Sequence, residues 1–550
     1  MSVRSLTGAQ HISGTWRAHS GVGSFQRFMT RPYDVAIIGG GLAGNLLARQ
    51  LSREVPDARV LLVEKTGEPR WKVGESTVEI AAHYLLRRQG LGTYLYDRHL
   101  PKNGLRFFFD TPEKDAPLTR MSEVGTDRPP PTPSFQLDRA RFEADLREMN
   151  AAAGVDVRVG WTARELDLGE GGGVHRFTIR GPESEEAVEA RWVVDCTGRA
   201  SMIARQKDLR VDVEDHPLSA VWGRFTGVQD IDQAGDDAFR RRVRYTVRTL
   251  STNHFCYPGY WIWFIPLGRG VTSVGVVGEK GVFRRGMRTE AGFRAFVDEH
   301  RAPGELLAGS ELLDLEGYTQ LAYATKRFFD GADRWLLLGD AAAFTDPFYS
   351  PGSDFIALEC DYATDLIRRD KRGEDAAEVA DVARTWDAFM QYRFQATMLL
   401  YRDLYRCFGS YDLMRVKLNF DLGCYYNVWL DPVAKDQHLD PRAVMNELRR
   451  APDNLTALRN FSALFQQADA ALRDRGAYHE KNLGHWDDGV ACLRSWIAEV
   501  GTQRKKRDIN RRTEEVFNYG RTEALKLLHG EDVTSTEPWR LYQFADSLIA

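Results

Sequence analysis

Residues 34–55 constrain this chain most. Asp34-Val35-Ala36-Ile37-Ile38 is an unbroken apolar run after its first residue, as expected of a parallel strand buried on both faces. Gly39-Gly40-Gly41-Leu42-Ala43-Gly44 follows, and residues 45–55 then take helical spacing, with Leu46, Leu47 and Leu51 on one side. Strand, glycine turn and helix together make a dinucleotide fingerprint. Gly39 permits the tight turn, Gly41 lets a pyrophosphate approach, and Gly44 lets helix and strand pack closely. The helix start, Leu42 and Ala43 included, offers free N–H groups to phosphates. The next strand ends at Glu64-Lys65, where an acid can accept hydrogen bonds from ribose hydroxyls and Lys65 is a neighbouring contact candidate.

A chain of 550 residues accommodates two or three domains. Its formal charge of -4 argues against nucleic acid as the main partner. No apolar run reaches the roughly 18 residues a membrane helix needs. Residues 1–32 are read as a flexible extension without the apolar core of a signal peptide, with Met29 as an alternative start. Six cysteines are scattered without a CxxC pair, which predicts reduced thiols, a cytoplasmic setting and no metal site.

Ser76 and Glu79 have capping-box spacing ahead of a helix running to Leu91, and Gly74 just before them lets backbone lie against a cofactor. Residues 111–135 are rich in Pro, Asp and Thr and read as a mobile loop. Asp138 is positioned to cap the next helix, and Arg139 is either a cofactor contact or half of an ion pair at that helix start. Residues 211–330 alternate like strands. They contain Tyr260-Trp261-Ile262-Trp263-Phe264-Ile265-Pro266, whose two tryptophans share one strand face. They form either a wall between two pockets or a plain buried strand. Trp335-Leu336-Leu337-Leu338 is another buried strand, leading to Gly339-Asp340, where the aspartate can bind a polyol hydroxyl or cap a turn. A helix starts near Gly352, with its positive end available to an anionic ring.

In this order the segments 39–44, Glu64, Gly74-Glu75-Ser76, Asp195-Cys196-Thr197-Gly198 and Gly339-Asp340 through Gly352 resemble the para-hydroxybenzoate-hydroxylase-type flavoproteins. Within these, Trp261-Ile262-Trp263-Phe264-Ile265-Pro266 is similar to the WxWxIP motif of flavin-dependent halogenases. The resemblance spans about residues 33 to 370. It implies an α/β fold: a GR2/PHBH-type FAD-binding Rossmann-like domain (33–210 and 331–375), an inserted β-sheet substrate domain (211–330) and a C-terminal helical region (376–550).

The resemblance also implies a chemistry. FAD arrives reduced, as FADH2, from a separate NAD(P)H-dependent flavin reductase. O2 adds to give a flavin C4a-hydroperoxide, which oxidises chloride or bromide to hypohalous acid. That acid travels to a second pocket, where a lysine directs it to an aromatic small molecule such as an indole or phenol. The tryptophan pair keeps that molecule from the flavin. Pro101-Lys102-Asn103-Gly104 resembles the family's lysine-x-glycine segment and carries the role onto Lys102, although a Lys-Asn-Gly turn equally suits a solvated lysine. Lys72 and Lys114 are weaker candidates. Pro347, Ser350, Gly352 and Ser353 fall where the family holds flavin and halide, but Pro351 has no N–H, which leaves Gly352, Ser353 or the Ser350 hydroxyl as halide donors. Tyr349 stands where some tryptophan-specific members carry an acid, so free tryptophan is not assumed as substrate. Monooxygenases and geranylgeranyl-reductase-like enzymes share the architecture and remain alternatives, as does a flavin-fold protein with no redox role.

Overall fold

The computed structural model describes residues 32–130, 132–488 and 497–530. The leader therefore lies outside the described residues, apart from Pro32. Two large sheets organise the rest. In the first, Tyr33–Ile38 lies between Val60–Glu64 and Glu185–Asp195, and Trp335–Leu337 extends the sheet beyond the latter, all in parallel. The register sets Ile38 beside Val63 and Asp195, and Asp195 beside Leu337. Gly39, Glu64, Asp195 and Gly339, far apart in sequence, thus emerge at one carboxyl edge. Ligands of open α/β sheets bind at that edge.

The second sheet is built on the antiparallel strands Leu218–Thr226, Val271–Glu279, Tyr260–Gly268 and Thr252–Tyr257. It reaches outside the 211–330 boundary, recruiting Leu105–Phe109, Ser122–Gly125 and Trp486–Asp487. Residues 111–135, read from composition as a loop, therefore carry the strand Ser122–Gly125 and the strand Ser134–Gln136. An internal charge cluster fixes the first of these. The Glu123 carboxylate is fully buried and accepts from Arg106 Nη1 at 2.5 Å and from Arg248 Nε and Nη2 at 2.8 Å each. The two arginines hold its pKa below the usual carboxylate value, although burial pushes the other way. Removing Glu123 takes the shared carboxylate from two buried guanidinium groups. Glu123→Ala is therefore expected to lower the apparent melting temperature, for a loss of about 3 kcal/mol or more, whereas deleting an exposed pair such as Arg284–Glu299 is expected to change it little. Thermal scans at one fixed rate compare the two.

The C-terminal region is helical, with long helices Ala376–Met398, Tyr411–Cys424, Ala451–Asp474 and Lys506–His529. Asp440-Pro441 starts a new helix, because a proline in the first turn has no N–H to lose, whereas Asp431-Pro432 continues the helical run of Tyr411–Cys424 and Tyr425–Leu430 rather than breaking it. None of the described helices is long and apolar enough to cross a membrane.

Candidate active site

The dinucleotide edge has the shape its glycines predict. A Cβ on Gly44 would fall 1.9 Å from the Gly39 carbonyl oxygen, so helix Leu42–Glu54 sits directly on the strand. A Cβ on Gly41 would meet only Lys72 Nζ at 3.8 Å, so that position faces open space. The helix begins without a side-chain cap, leaving its first N–H groups for an anion. Glu64 is buried at the next strand end, and its carboxylate accepts from Gly40 N at 2.6 Å and Thr66 N at 2.7 Å. Lys65 points into solvent. Asp340 lies in a tight turn, Gly339–Ala341, that packs against Ala43. Burial raises its pKa, and Arg199, Arg139, Lys72 and Arg210 oppose this at a distance. Arg139 spends its donors on Glu143 and on the Val73 carbonyl, 2.8 Å away, so of its two readings the ion pair is present. These features fit an FAD: open space at Gly41, an uncapped helix end and acids at the carboxyl ends of two strands of one sheet.

A second group of residues forms across from this edge. Lys102 ends the short strand Leu100–Lys102, which pairs with Ser134–Gln136. It is 2% exposed. Its ammonium donates to Ser76 Oγ at 2.7 Å and to the Thr77 carbonyl at 2.8 Å. Ser76 Oγ also accepts from Ser350 Oγ at 3.1 Å, which directs its own proton to Thr252 Oγ1 at 2.9 Å. Ser76 is therefore not the helix cap that its spacing with Glu79 suggested. Helix Glu79–His83 starts after Val78 with no side-chain cap, because the Ser76 hydroxyl is engaged in this cluster. Ser350 adopts a left-handed conformation (φ 58°) and donates its N–H to the Pro347 carbonyl at 3.0 Å, turning the chain into helix Gly352–Lys371. That helix has no side-chain cap, and a Cβ on Gly352 would meet nothing within 4 Å. Ser353 Oγ is buried without a hydrogen-bond partner.

Lys102 opens onto a cavity of about 240 Å³. Glu79, Asp354, Phe107, Arg393, Tyr425 and Trp429 are among its walls, and residues 127–130 contribute to its lining. Residues 32–354, more than half of the chain, match the FAD binding domain family. The chain belongs to that family. Curated proteins similar to the chain include flavin-dependent halogenases. The flavin-dependent halogenase chlA of Dictyostelium discoideum is 28% identical over 84% of this chain and 80% of its own length. Tetracycline 7-halogenase of Kitasatospora aureofaciens is 28% identical over 58% of this chain, which spans 61% of that enzyme. The crystal structure of halogenase PltM with phloroglucinol and FAD superposes with a TM-score of 0.67 at 17% identity, covering 91% of this chain and 99% of PltM, a likeness of fold. The chain is thus an FAD-dependent enzyme of the flavin-dependent halogenase family.

In this member of the halogenase family Trp261 and Trp263 do share one face of strand Tyr260–Gly268. They join the main core, while Tyr260, Ile262 and Phe264 join a separate one. Neither indole lines the cavity, however. Phe107 does. It stacks on His254 at 4.7 Å between centroids, and His254 in turn lies 5.1 Å from Trp261. The tryptophans are a second layer behind Phe107 and His254, not the cavity wall itself. Their N–H groups are spent on Tyr405 Oη and Ser273 Oγ, 3.1 Å each.

Sequence reasoning passed over several cavity residues. Asp354 accepts from Ala81 N at 2.8 Å and Tyr425 Oη at 2.9 Å. Glu79 accepts from Tyr426 Oη at 2.6 Å. Asp354 lies two residues beyond Gly352, and that offset was its only sequence signal. Burial pushes Asp354 up to about 7 and raises Glu79. Burial lowers Lys102 to about 8, with Glu79 and Asp354 pulling the other way. The lysine therefore loses its proton as pH rises through about 8. If the ammonium is the working form, halogenation is expected to fall about tenfold per pH unit above that value while flavin oxidation continues. A kcat profile from about pH 6 to 10, with both products measured, checks this.

Proposed function

We propose that this enzyme uses FADH2, delivered by a separate NAD(P)H-dependent flavin reductase, to oxidise chloride or bromide, and that Lys102 directs the resulting hypohalous acid onto an electron-rich aromatic ring in the cavity. The observation that carries the reading is the position of Lys102. A buried ammonium opens onto an aromatic-lined cavity on one side and is tied through Ser76 to Ser350, just before helix Gly352–Lys371, on the other.

When bound, reduced FAD supplies the activation of O2 that halide oxidation requires. The groove residues Gly41, Glu64 and Asp340 would hold it, and the Gly352 helix start would face its ring. Pro351 provides no N–H, so the halide donors in this reading are the Gly352 and Ser353 N–H groups, with the unpartnered Ser353 hydroxyl beside them. Two of the Lys102 protons hold the ammonium in place, and the third is left to hydrogen-bond the hypohalous oxygen, which makes the halogen more electrophilic. Exclusion of bulk water strengthens that interaction. Phe107, backed by His254 and Trp261, closes the space beside the lysine.

The test is a screen of aromatic compounds with FAD, a flavin reductase, NADH and chloride or bromide, read by mass spectrometry. A halogen isotope pattern is expected. A gain of one oxygen without halogen would instead support a monooxygenase.

A further inference from the structure

Helix Ala376–Met398 brings Arg393 to the wall of the cavity that contains Lys102. Its side chain is buried, with the residue 4% exposed, and its Nε has no hydrogen-bond partner. Its guanidinium forms no ion pair or hydrogen bond among the described residues. Trp429 covers it, with Cζ 4.2 Å from the ring centroid. The other deeply buried arginines differ. Arg106 and Arg248 both bind Glu123, and Arg224 binds Glu75 and Asp314. An unpaired buried charge is costly, and a fold that pairs three such arginines leaves this one, among the described residues, facing the cavity.

The neighbouring acids do not supply the missing partner. Asp354 and Glu447 influence Arg393 from beyond ion-pair distance. Both Asp354 oxygens are engaged, by Ala81 N and Tyr425 Oη. Burial shifts Asp354 and Glu447 each up to about 7, which weakens their countercharge. Asp421, also on the cavity wall, is already paired with Lys417 and Tyr349. Lys102, with two donors committed, is not the group free to bind an anion in a fork, which leaves Arg393 as the cavity's candidate for that role.

We propose that Arg393 binds a carboxylate on the aromatic substrate and thereby sets which part of the ring faces Lys102. A guanidinium with one face on an indole presents its edge, and that edge matches the two oxygens of a carboxylate. The substrate class is an electron-rich aromatic acid. This deepens the halogenase reading and rests on it for the role of Lys102.

The test is calorimetric titration of the FAD-loaded enzyme near neutral pH with matched probes: salicylate, hydroxybenzoates and hydroxyphenylacetates, each beside its methyl ester. At least one acid is expected to bind about tenfold or more tightly than its ester. Arg393→Gln is expected to weaken the acid about tenfold and its ester less than twofold, and Arg393→Lys to keep part of the preference. Retained FAD uptake and an unchanged melting temperature show that the variants are folded. Equal binding of every acid and ester, no binding of any probe, or a preference that survives Arg393→Gln overturns the inference. These titrations need no turnover. An Arg393-dependent acid preference without halogenation would leave the subsite standing and remove the halogenase reading, and the reverse result would do the opposite.

Discussion

Lys102→Ala is expected to abolish halogenation of the aromatic substrate while reduced flavin is still oxidised by O2. A positioned proton donor contributes about 10²–10⁴ in rate, so the product signal should fall by at least the lower figure. The variant removes a buried ammonium, but Ser76 Oγ keeps Thr252 and Ser350, and Thr77, whose carbonyl loses the ammonium, stays anchored through its N–H to the Phe135 carbonyl at 2.9 Å. Local structure should therefore persist. Hypohalous acid formed at the flavin would then be free to leave, and an added trap should collect it in the variant but not in the wild type. Halogenation at wild-type rate in Lys102→Ala would remove the lysine from the mechanism. Lys72, 2.7 Å from Glu143 beside the dinucleotide groove, and Lys114, over the Tyr260 ring at 5.5 Å, do not line the cavity and give no ready substitute.

The second large effect separates two glycines of one fingerprint. Gly44→Ala drives a methyl into the Gly39 carbonyl, 1.9 Å away, where both atoms belong to packed backbone. Helix and strand must part, and the soluble yield of folded protein should collapse. Gly41 has an ordinary φ of -78° and open space where a Cβ would go. Gly41→Ala should therefore fold with an apo melting temperature close to the wild type, yet lose about tenfold or more in FAD affinity because the methyl occupies the approach of the pyrophosphate. Yield, apo melting curves and flavin titration distinguish the two. Equal FAD affinity in Gly41→Ala and wild type would move the cofactor away from this turn.

The parts of the molecule governed by short-range rules were readable in advance. The 34–44 turn, the strand ends at Glu64 and Gly339, and the Asp138 cap on helix Arg139–Ala152 follow from local backbone requirements. The common face of Trp261 and Trp263 follows from strand alternation. What escaped was decided by long-range packing. Composition gave residues 111–135 to a loop, because the arginines that neutralise Glu123 sit at 106 and 248. The Ser76–Glu79 spacing suggested a cap, because nothing local reveals that Lys102 and Ser350 claim the Ser76 hydroxyl. The tryptophan pair reads as a wall between two pockets or a plain buried strand; the residue in front of it that lines the cavity, Phe107, is brought there by parallel pairing of Leu105–Phe109 with Thr252–Tyr257, which no local pattern announces. Arg393 sits in a helix without any motif, and only its lack of a partner in three dimensions draws attention to it.

The claim on which the rest depends is that the flavin ring and the aromatic substrate occupy different places, with Lys102 at the substrate's. A crystal structure of the enzyme with FAD and a bound aromatic ligand tests it directly. The account predicts the flavin along residues 39–44 with its ring toward the Gly352 helix start. It predicts the ligand in the cavity beside Lys102 and Phe107, not touching the isoalloxazine. A ligand stacked on the isoalloxazine, with the Lys102 cavity empty, would contradict it.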